Sequence, residues 1–233
     1  MWTRLDHDSH RARLGGAVPL NRPVSKKQSN LILVRHGLTD WNEEGRLLGR
    51  IDIRLNSRGR EQAERAAEAL RRVPVGAVLS SPQPRTMETA EAVAGPHGLG
   101  VETDSGLDEV WLGRWQGKLV PELRGDPDLE KYMEDPTTVC DAIEPASEVQ
   151  GRIVATAERC RSAADDGTTV LVSHGDPLRL LLIHYLSMEL ALFRRLELDT
   201  GSISILRFTS RGARLLVLNW KSGQDALESF FLD

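Results

Sequence analysis

Short, unbroken apolar runs alternate with longer stretches of helical periodicity along most of the chain. Three of the runs have the length expected of strands buried on both faces, at residues 31–34, 75–79 and 168–172. Apolar residues at helical spacing predict helices over residues 57–71, 84–94, 147–164 and 176–187. Strands that alternate with helices predict a mostly parallel sheet with helices on both faces.

The chain after residue 200 predicts a hairpin at the edge of that sheet. Residues 202–208 and 213–220 alternate between apolar and polar positions, and Arg211-Gly212 supplies the turn. The predicted fold class is therefore α/β, with three α/β/α layers and a mostly parallel central sheet that carries an antiparallel edge strand. Phe230-Phe231 is expected to fold back onto the domain rather than to anchor a dimer.

The first 29 residues differ from the rest in composition. They hold six Lys or Arg against two Asp and show no sustained hydrophobic period. This composition predicts a flexible N-terminal arm over residues 1–29, followed by one domain over residues 30–233. The apolar core of a secretory signal is missing. A mitochondrial-type transit segment is the alternative, which Asp6 and Asp8 weaken.

Composition and charge narrow the classes of partner. The apolar fraction is 40%, the charged fraction 27% and the formal net charge −4, so we expect neither nucleic acid nor a membrane as partner. No apolar run approaches the roughly 18 residues that span a bilayer. Cys140 and Cys160 have no metal-binding or redox spacing. The expectation is a cytoplasmic protein with reduced thiols, as a monomer or homodimer.

Two His-Gly pairs stand directly after predicted strands. Arg35-His36-Gly37 follows the first strand, and Ser173-His174-Gly175 follows the third. In open parallel sheets, ligands bind just outside the carboxyl ends of the strands. A single histidine at such a place is more often structural, but two at equivalent places favour one shared site.

Arginine residues add positive charge at the same edge of the sheet. Arg35 precedes the first His-Gly pair, and Arg85 follows the second strand at the start of a helix. Guanidinium groups bind phosphate oxygens bidentately and stay charged at any relevant pH. Two guanidiniums and two imidazoles at one edge predict an anion pocket that suits a tetrahedral phosphoryl group.

The segments around these residues form a series of motifs. Residues 35–42 read Arg-His-Gly-Leu-Thr-Asp-Trp-Asn. They are followed by residues 49–63, Ser80-Ser81-Pro82 with Arg85, Leu107-x-Glu109 with Gly113-x-Trp115-x-Gly117, and Ser173-His174-Gly175. In type and order these motifs resemble the histidine phosphatase superfamily, in its phosphoglycerate-mutase-like branch, whose signature is Arg-His-Gly-x-Thr-x-x-Asn. The resemblance extends over residues 30–220.

The resemblance implies a metal-independent phosphatase that forms a phosphohistidine on His36. Glu109 is the expected acid that protonates the leaving oxygen, and then the base that activates water. The phosphoryl group and the substrate are expected to be bound, without metal or cofactor, by Arg35, Asn42, Arg85, His174 and Gly175. Charge in the transition state is expected to be stabilised by Arg35, Arg85 and His174.

Three activities are compatible with these motifs. Glu109 is followed by Val110-Trp111-Leu112-Gly113, where true mutases of the family carry Arg-His-Tyr-Gly. This difference favours a phosphatase that acts on a small phosphorylated metabolite. The alternatives are phosphoglycerate mutase-type phosphoryl transfer and a non-catalytic phosphate-binding module. Residues 141–147 lack the Gly-Gly-Glu-Ser that many relatives carry, so we expect a differently shaped lid over the pocket.

Overall fold

The computed structural model describes residues 28–138, 140, 143–164, 167–221 and 227–231. The arm predicted over residues 1–29 lies almost entirely outside the described residues, as do Asp141 and Ala142 of the expected lid. The six strands are β1 Ser29–Arg35, β2 Ala77–Ser80, β3 Val101–Thr103, β4 Thr168–Ser173, β5 Ile203–Thr209 and β6 Gly212–Trp220. The α-helices of the described part are α1 Asp40–Glu44, α2 Ser57–Leu70, α3 Pro84–Ala94, α4 Pro127–Glu134, α5 Ala146–Ala164 and α6 Gly175–Tyr185.

The six strands form one sheet in the order β3-β2-β4-β1-β5-β6. The first four of these neighbours are parallel, whereas β5 runs antiparallel to both β1 and β6. The predicted α/β fold is confirmed, and the predicted hairpin closes one edge of the sheet. Within that hairpin β5 is the strand that reverses direction, and β6 forms the outer edge.

Each face of the sheet is covered by a pair of helices, which accounts for the unbroken apolar runs of the central strands. On one face the buried side chains of the strands pack against α2 and α3, in a cluster that includes Ile32, Val34, Val170, Ile205, Ala66, Leu70, Ala90 and Val93. On the other face they pack against α5 and α6, in a cluster that includes Leu31, Leu33, Leu171, Leu206, Ile153, Ala157, Leu178 and Leu181. Odd and even residues of β1 thus serve opposite faces.

The described C-terminal segment returns to the face that carries α2. Leu227 is buried, and Phe230 and Phe231 pack against the same cluster as α2 and α3. Arg72, two residues after the end of α2, also forms a 3.4 Å ion pair with Glu228. The expected folding back of Phe230-Phe231 is therefore observed. No helix among the described residues is both long and apolar enough to cross a membrane.

Three elements differ from the sequence-based expectation, and one of them is β3, which was not predicted. α1 is a five-residue helix that was not predicted, and it begins with a capping box between Thr39 and Asn42. α6 begins at Gly175, one residue before the predicted start, so Pro177 is its third residue. The proline is tolerated there because none of the amides in the first helical turn has an acceptor within the helix.

Candidate active site

The pairing of β1 with β4 brings the two His-Gly pairs together. Arg35 pairs with Ser173, and the amide of His36 donates a hydrogen bond to the carbonyl oxygen of Ser173 at 3.0 Å. The imidazole rings of His36 and His174 consequently lie 5.1 Å apart between centroids, at an angle of 61°. Both side chains are buried, with relative exposures of 1% and 0%.

His36 is held in the form that a nucleophile requires. Its Nδ1 lies 2.7 Å from the carbonyl oxygen of Gly37. Because a carbonyl oxygen can only accept, Nδ1 carries the proton and Nε2 keeps its lone pair. Burial, and then the charges of Arg85 and Arg35, hold the pKa of His36 well below its usual value near 6.5. The imidazole is therefore neutral at neutral pH.

The backbone around His36 is fixed by close contact with α2 and α3. A Cβ atom on Gly37 would lie 2.3 Å from the carbonyl oxygen of Gly59 in α2, so only glycine fits at this position. The amide of Gly37 donates to Oγ1 of Thr89 at 3.1 Å, and the amide of Leu38 donates to Oε1 of Gln62 at 2.8 Å. The loop that carries His36 is thus held by both α2 and α3.

The two predicted arginines are anchored by backbone carbonyls. Arg85 is completely buried, and its Nη atoms donate to the carbonyl oxygens of Ile51 at 2.9 Å and Gly49 at 2.8 Å. Burial lowers its pKa to about 10, which leaves it charged at neutral pH. Arg35 donates from Nη1 to the carbonyl oxygen of Leu198 at 2.6 Å. Both guanidiniums are therefore held in place by the protein itself.

Four buried nitrogen atoms of the site have no hydrogen-bond partner within the described part of the chain. They are Arg35 Nε, Arg85 Nε, His174 Nδ1 and His174 Nε2. A buried donor without a partner costs about 1–3 kcal/mol, and more when it is charged. Burial and the charges of Arg85 and Arg35 also lower the pKa of His174, so its neutral ring can donate one N–H. Donors of this kind around one imidazole are suited to the oxygens of an anion.

Glu109 lies on the loop beside His174. Its Oε2 is 3.9 Å from Nδ1 of His174, and its Oε1 accepts a hydrogen bond from the amide of Val110 at 3.0 Å. Burial and the nearby charge of Asp176 raise the pKa of Glu109 to about 7, against the opposing effect of Arg85. Protonated and ionised forms of this carboxyl are both populated at neutral pH.

A cavity of about 160 Å³ opens beside these groups. Of the residues predicted for the site, it is lined by Arg35, His36, Asn42, Glu109 and Gly175. Arg85 and His174 are completely buried and do not line it. The Oδ1 atom of Asn42 accepts from Oγ1 of Thr39 at 2.9 Å, so the amide group of Asn42 is the part with donors to offer a substrate.

The cavity also has lining residues that were not predicted from the sequence. These are Arg46, Leu47, Leu48, Gly49, Val110, Leu112, Asp176 and Arg179. Asp176 and Arg179 form a 2.8 Å ion pair on the first turn of α6. The pair could have been predicted from the sequence, because oppositely charged residues at i, i+3 spacing in a helix directly after Gly175 lie side by side. Arg46 had no such signal, because it follows the short helix α1 that periodicity did not reveal.

Comparisons with known proteins show the family to which the chain belongs. The family model described as histidine phosphatase superfamily (branch 1) matches residues 31–221. Phosphoserine phosphatase 1 of Hydrogenobacter thermophilus is 33% identical over 192 residues, which cover 81% of this chain and 91% of that protein. A Shigella boydii protein with the name "Probable phosphoglycerate mutase GpmB" is 33% identical over 175 residues, which cover 74% of this chain and 81% of that protein.

A solved structure also shares the fold. The mycobacterial glucosyl-3-phosphoglycerate phosphatase Rv2419c superposes with a TM-score of 0.75 at 28% identity, and the match covers 82% of this chain and 98% of that one. The family match spans most of the sequence, and the motifs that define the site lie within it. The chain therefore belongs to the histidine phosphatase superfamily.

Proposed function

We propose that the protein is a phosphatase that hydrolyses small phosphomonoesters through a phosphohistidine on His36. The observation that carries the proposal is the set of unpaired, buried donors of Arg35, Arg85 and His174 around a neutral imidazole. A dianionic phosphoryl group supplies the acceptors that these donors lack. Membership of the family and the phosphatases among the relatives support the same reaction.

The first step transfers the phosphoryl group to the enzyme. The lone pair of His36 Nε2 attacks phosphorus, and the bond between phosphorus and the ester oxygen breaks. Protonated Glu109 gives its proton to the departing oxygen, so that an alcohol leaves rather than an alkoxide. The guanidiniums of Arg35 and Arg85 and the N–H of His174 donate to the phosphoryl oxygens as charge builds up on them.

The second step returns the enzyme to its starting state. Ionised Glu109 takes a proton from water, and the water oxygen attacks the phosphorus of the phosphohistidine. The bond between phosphorus and Nε2 breaks, inorganic phosphate leaves, and His36 regains its lone pair. A carboxyl whose pKa lies at about 7 can serve in both roles near neutral pH.

The size of the cavity and the names of the relatives support a small phosphorylated metabolite as substrate. The net charge of −4 supports the absence of nucleic acid and anionic membranes as partners. The free cysteines Cys140 and Cys160 support a cytoplasmic location, where thiols stay reduced.

The reaction is expected to need no metal ion. Two guanidiniums already supply the positive charge that a cation would bring to the phosphoryl group. We therefore predict that the protein keeps its phosphatase activity after dialysis against EDTA. Loss of activity that a divalent cation restores would contradict this prediction.

The proposal is tested by a screen of phosphorylated metabolites for release of inorganic phosphate. The parent protein is expected to hydrolyse some of them, and His36→Ala none. His184→Ala is the matched control, because His184 lies on the exposed side of α6 and should leave the rates as they are. Activity that survives His36→Ala would overturn the proposal.

A mutase is the second candidate, supported by the Shigella boydii relative. The two activities separate on 3-phosphoglycerate, since a phosphatase releases phosphate whereas a mutase accumulates the isomer. We expect phosphate, because the Arg-His-Tyr-Gly segment of mutases is not present after Glu109. Accumulation of 2-phosphoglycerate would favour the mutase instead.

A further inference from the structure

We infer that Arg50, Glu144 and Arg152 form a clamp that positions Glu109 for proton transfer to the leaving group. The inference rests on the proposed role of Glu109 as the acid. No role was predicted from the sequence for any of the three clamp residues, and none lines the cavity. They are proposed as positioning residues, which act through Glu109 rather than on the substrate.

The clamp holds the backbone on which Glu109 stands. The carbonyl oxygen of Glu109 accepts hydrogen bonds from Arg50 Nε at 2.9 Å and from Arg152 Nη2 at 3.1 Å. Arg152 Nη1 donates to the carbonyl oxygens of Asp108 at 2.6 Å and Gly106 at 3.0 Å. Two guanidiniums thus fix the peptide groups that lead up to the proposed acid.

Glu144 aligns the two guanidiniums with each other. Its Oε2 accepts from Arg50 Nη2 at 2.8 Å and from Arg152 Nη2 at 3.0 Å, and its Oε1 accepts from Arg152 Nε at 2.9 Å. The same residue pairs with the backbone just beyond the acid, because the Trp111 amide donates to Oε2 at 3.2 Å and the Glu144 amide donates to the Trp111 carbonyl oxygen at 2.8 Å. One carboxylate therefore secures the loop on both sides of Glu109.

The clamp residues are largely shielded from solvent, so their hydrogen bonds compete little with water. The side chains of Glu144, Arg152 and Arg50 are 14%, 18% and 35% exposed. Burial alone would raise the pKa of Glu144, but the hydrogen bonds and charge of Arg152 outweigh it and keep the pKa below its usual value. The carboxylate is therefore ionised throughout the neutral range, and both ion pairs persist there.

The carboxyl group of Glu109 depends on the clamp because its own side-chain hydrogen bonds are few. Its Oε1 accepts from the neighbouring amide of Val110, and its Oε2 lies 3.9 Å from His174, beyond hydrogen-bond distance. The position of the carboxyl therefore follows the position of its backbone. A general acid must lie within hydrogen-bond reach of the leaving oxygen, and a misplacement of about 1 Å can cost roughly 100-fold in rate.

The clamp also links the acid to the arginine that binds phosphate. Arg50 follows Gly49, whose carbonyl oxygen accepts the 2.8 Å hydrogen bond from Arg85. The amide of Arg50 donates to Oε1 of Gln116 at 2.8 Å, which fixes this segment from the other side. A shift of the clamp would thus move the acid relative to the bound phosphoryl group.

The test compares two leaving groups in the same variant. para-Nitrophenolate is a stable anion that leaves without a proton, whereas the oxygen of an alkyl phosphate must be protonated as it leaves. The substrates are para-nitrophenyl phosphate and the alkyl phosphate that the parent hydrolyses fastest in the metabolite screen. For Glu144→Gln we expect kcat/KM for the alkyl phosphate to fall roughly tenfold or more beyond the fall for the aryl phosphate.

Further variants separate positioning from general loss of structure. Glu144→Asp keeps the charge and should recover part of the activity on the alkyl phosphate. Arg152→Lys loses the planar guanidinium that reaches the carbonyl oxygens. It should therefore lower the ratio of kcat/KM for the alkyl phosphate to kcat/KM for the aryl phosphate. Arg159→Lys is the matched control on the same helix, because Arg159 pairs with Asp104 rather than with the clamp, and it should keep the parent ratio. Thermal unfolding shows that each variant is folded.

The outcomes distinguish a clamp that positions Glu109 from one that only stabilises the structure. If Glu144→Gln and Arg152→Lys lower kcat/KM for both substrates in the same proportion, the clamp is only structural and the inference is overturned. If Glu144→Gln does not fold, the same ratio of kcat/KM values is compared between Arg152→Lys and Arg159→Lys. Equal ratios in these two variants overturn the inference. If Glu109→Gln itself lowers kcat/KM for both substrates in the same proportion, the result contradicts the proposed acid role of Glu109 rather than the role of the clamp.

Discussion

His36 and Glu109 differ in the direction in which the protein shifts their pKa values. Burial and two nearby guanidiniums lower the pKa of His36, which keeps the proposed nucleophile neutral. Burial and the charge of Asp176 raise the pKa of Glu109 to about 7. Opposite shifts in neighbouring groups are the usual way in which one site provides both a nucleophile and an acid.

A pH dependence follows from the raised pKa of Glu109. The proposed first step needs a proton on Glu109, and this proton is lost as the pH rises through about 7. We predict that kcat/KM for an alkyl phosphate falls about tenfold per pH unit above that value. The substrate does not cause this fall, because its own second ionisation, near pH 6, is already complete.

The aryl substrate supplies the control for this profile. para-Nitrophenyl phosphate needs no proton on its leaving group, so its kcat/KM should stay level over the same range. Glu109→Gln should remove the fall for the alkyl phosphate as well. A fall of equal steepness for both substrates would assign the ionisation to another group.

At the scale of elements, the sequence predicted what depends on local pattern. The runs that became β1 and β4 are buried on both faces, so their position, and that of the His-Gly pairs after them, could be read directly. β3 was missed because it has three residues, two of them exposed. The clamp was missed because Arg50 and Glu144 are 94 residues apart, and no local pattern encodes such a contact.

The close packing of α2 against the loop after β1 gives a prediction at this scale. In Gly37→Ala the new Cβ would meet the backbone carbonyl oxygen of Gly59, which cannot turn aside as a side chain can. We expect the free energy of unfolding to fall by about 1–3 kcal/mol, measured with denaturant. Phosphatase activity should fall as well, because the carbonyl oxygen of Gly37 also accepts the hydrogen bond from His36 Nδ1.

Gly95→Ala is the matched control, because a Cβ at Gly95 meets no atom within 4 Å and its φ is −51°. This substitution should leave stability equal to that of the parent, or raise it by about 0.4–1 kcal/mol. Equal stability of Gly37→Ala and Gly95→Ala would show that the contact with Gly59 does not constrain the loop.

At the scale of the whole molecule, one sheet with a pair of helices on each face supports the site. The central strands supply the core of both faces, and the loops at their carboxyl ends carry His36 and His174. The C-terminal segment adds to the face that bears α2, where Leu227 is 1% exposed. The site therefore stands on a core that residues distant from it help to stabilise.

The contribution of the C-terminal segment can be measured. Leu227→Ala should lower the free energy of unfolding by about 2–5 kcal/mol, since it removes a buried side chain from the core. Met133→Ala, at a side chain that is 61% exposed, should change it by no more than about 0.5 kcal/mol. Equal stability of the two variants in denaturant would show that the segment does not stabilise the domain.

The most direct test of the central claim is to isolate the phosphohistidine. In Glu109→Gln, para-nitrophenyl phosphate can still phosphorylate the enzyme, because its leaving group needs no proton, but water then lacks its base. We predict a burst of about one nitrophenolate per enzyme and, by mass spectrometry after alkaline quenching, one phosphoryl group on His36. A phosphoryl group on another residue, or a burst that persists in His36→Ala with Glu109→Gln, would contradict the account.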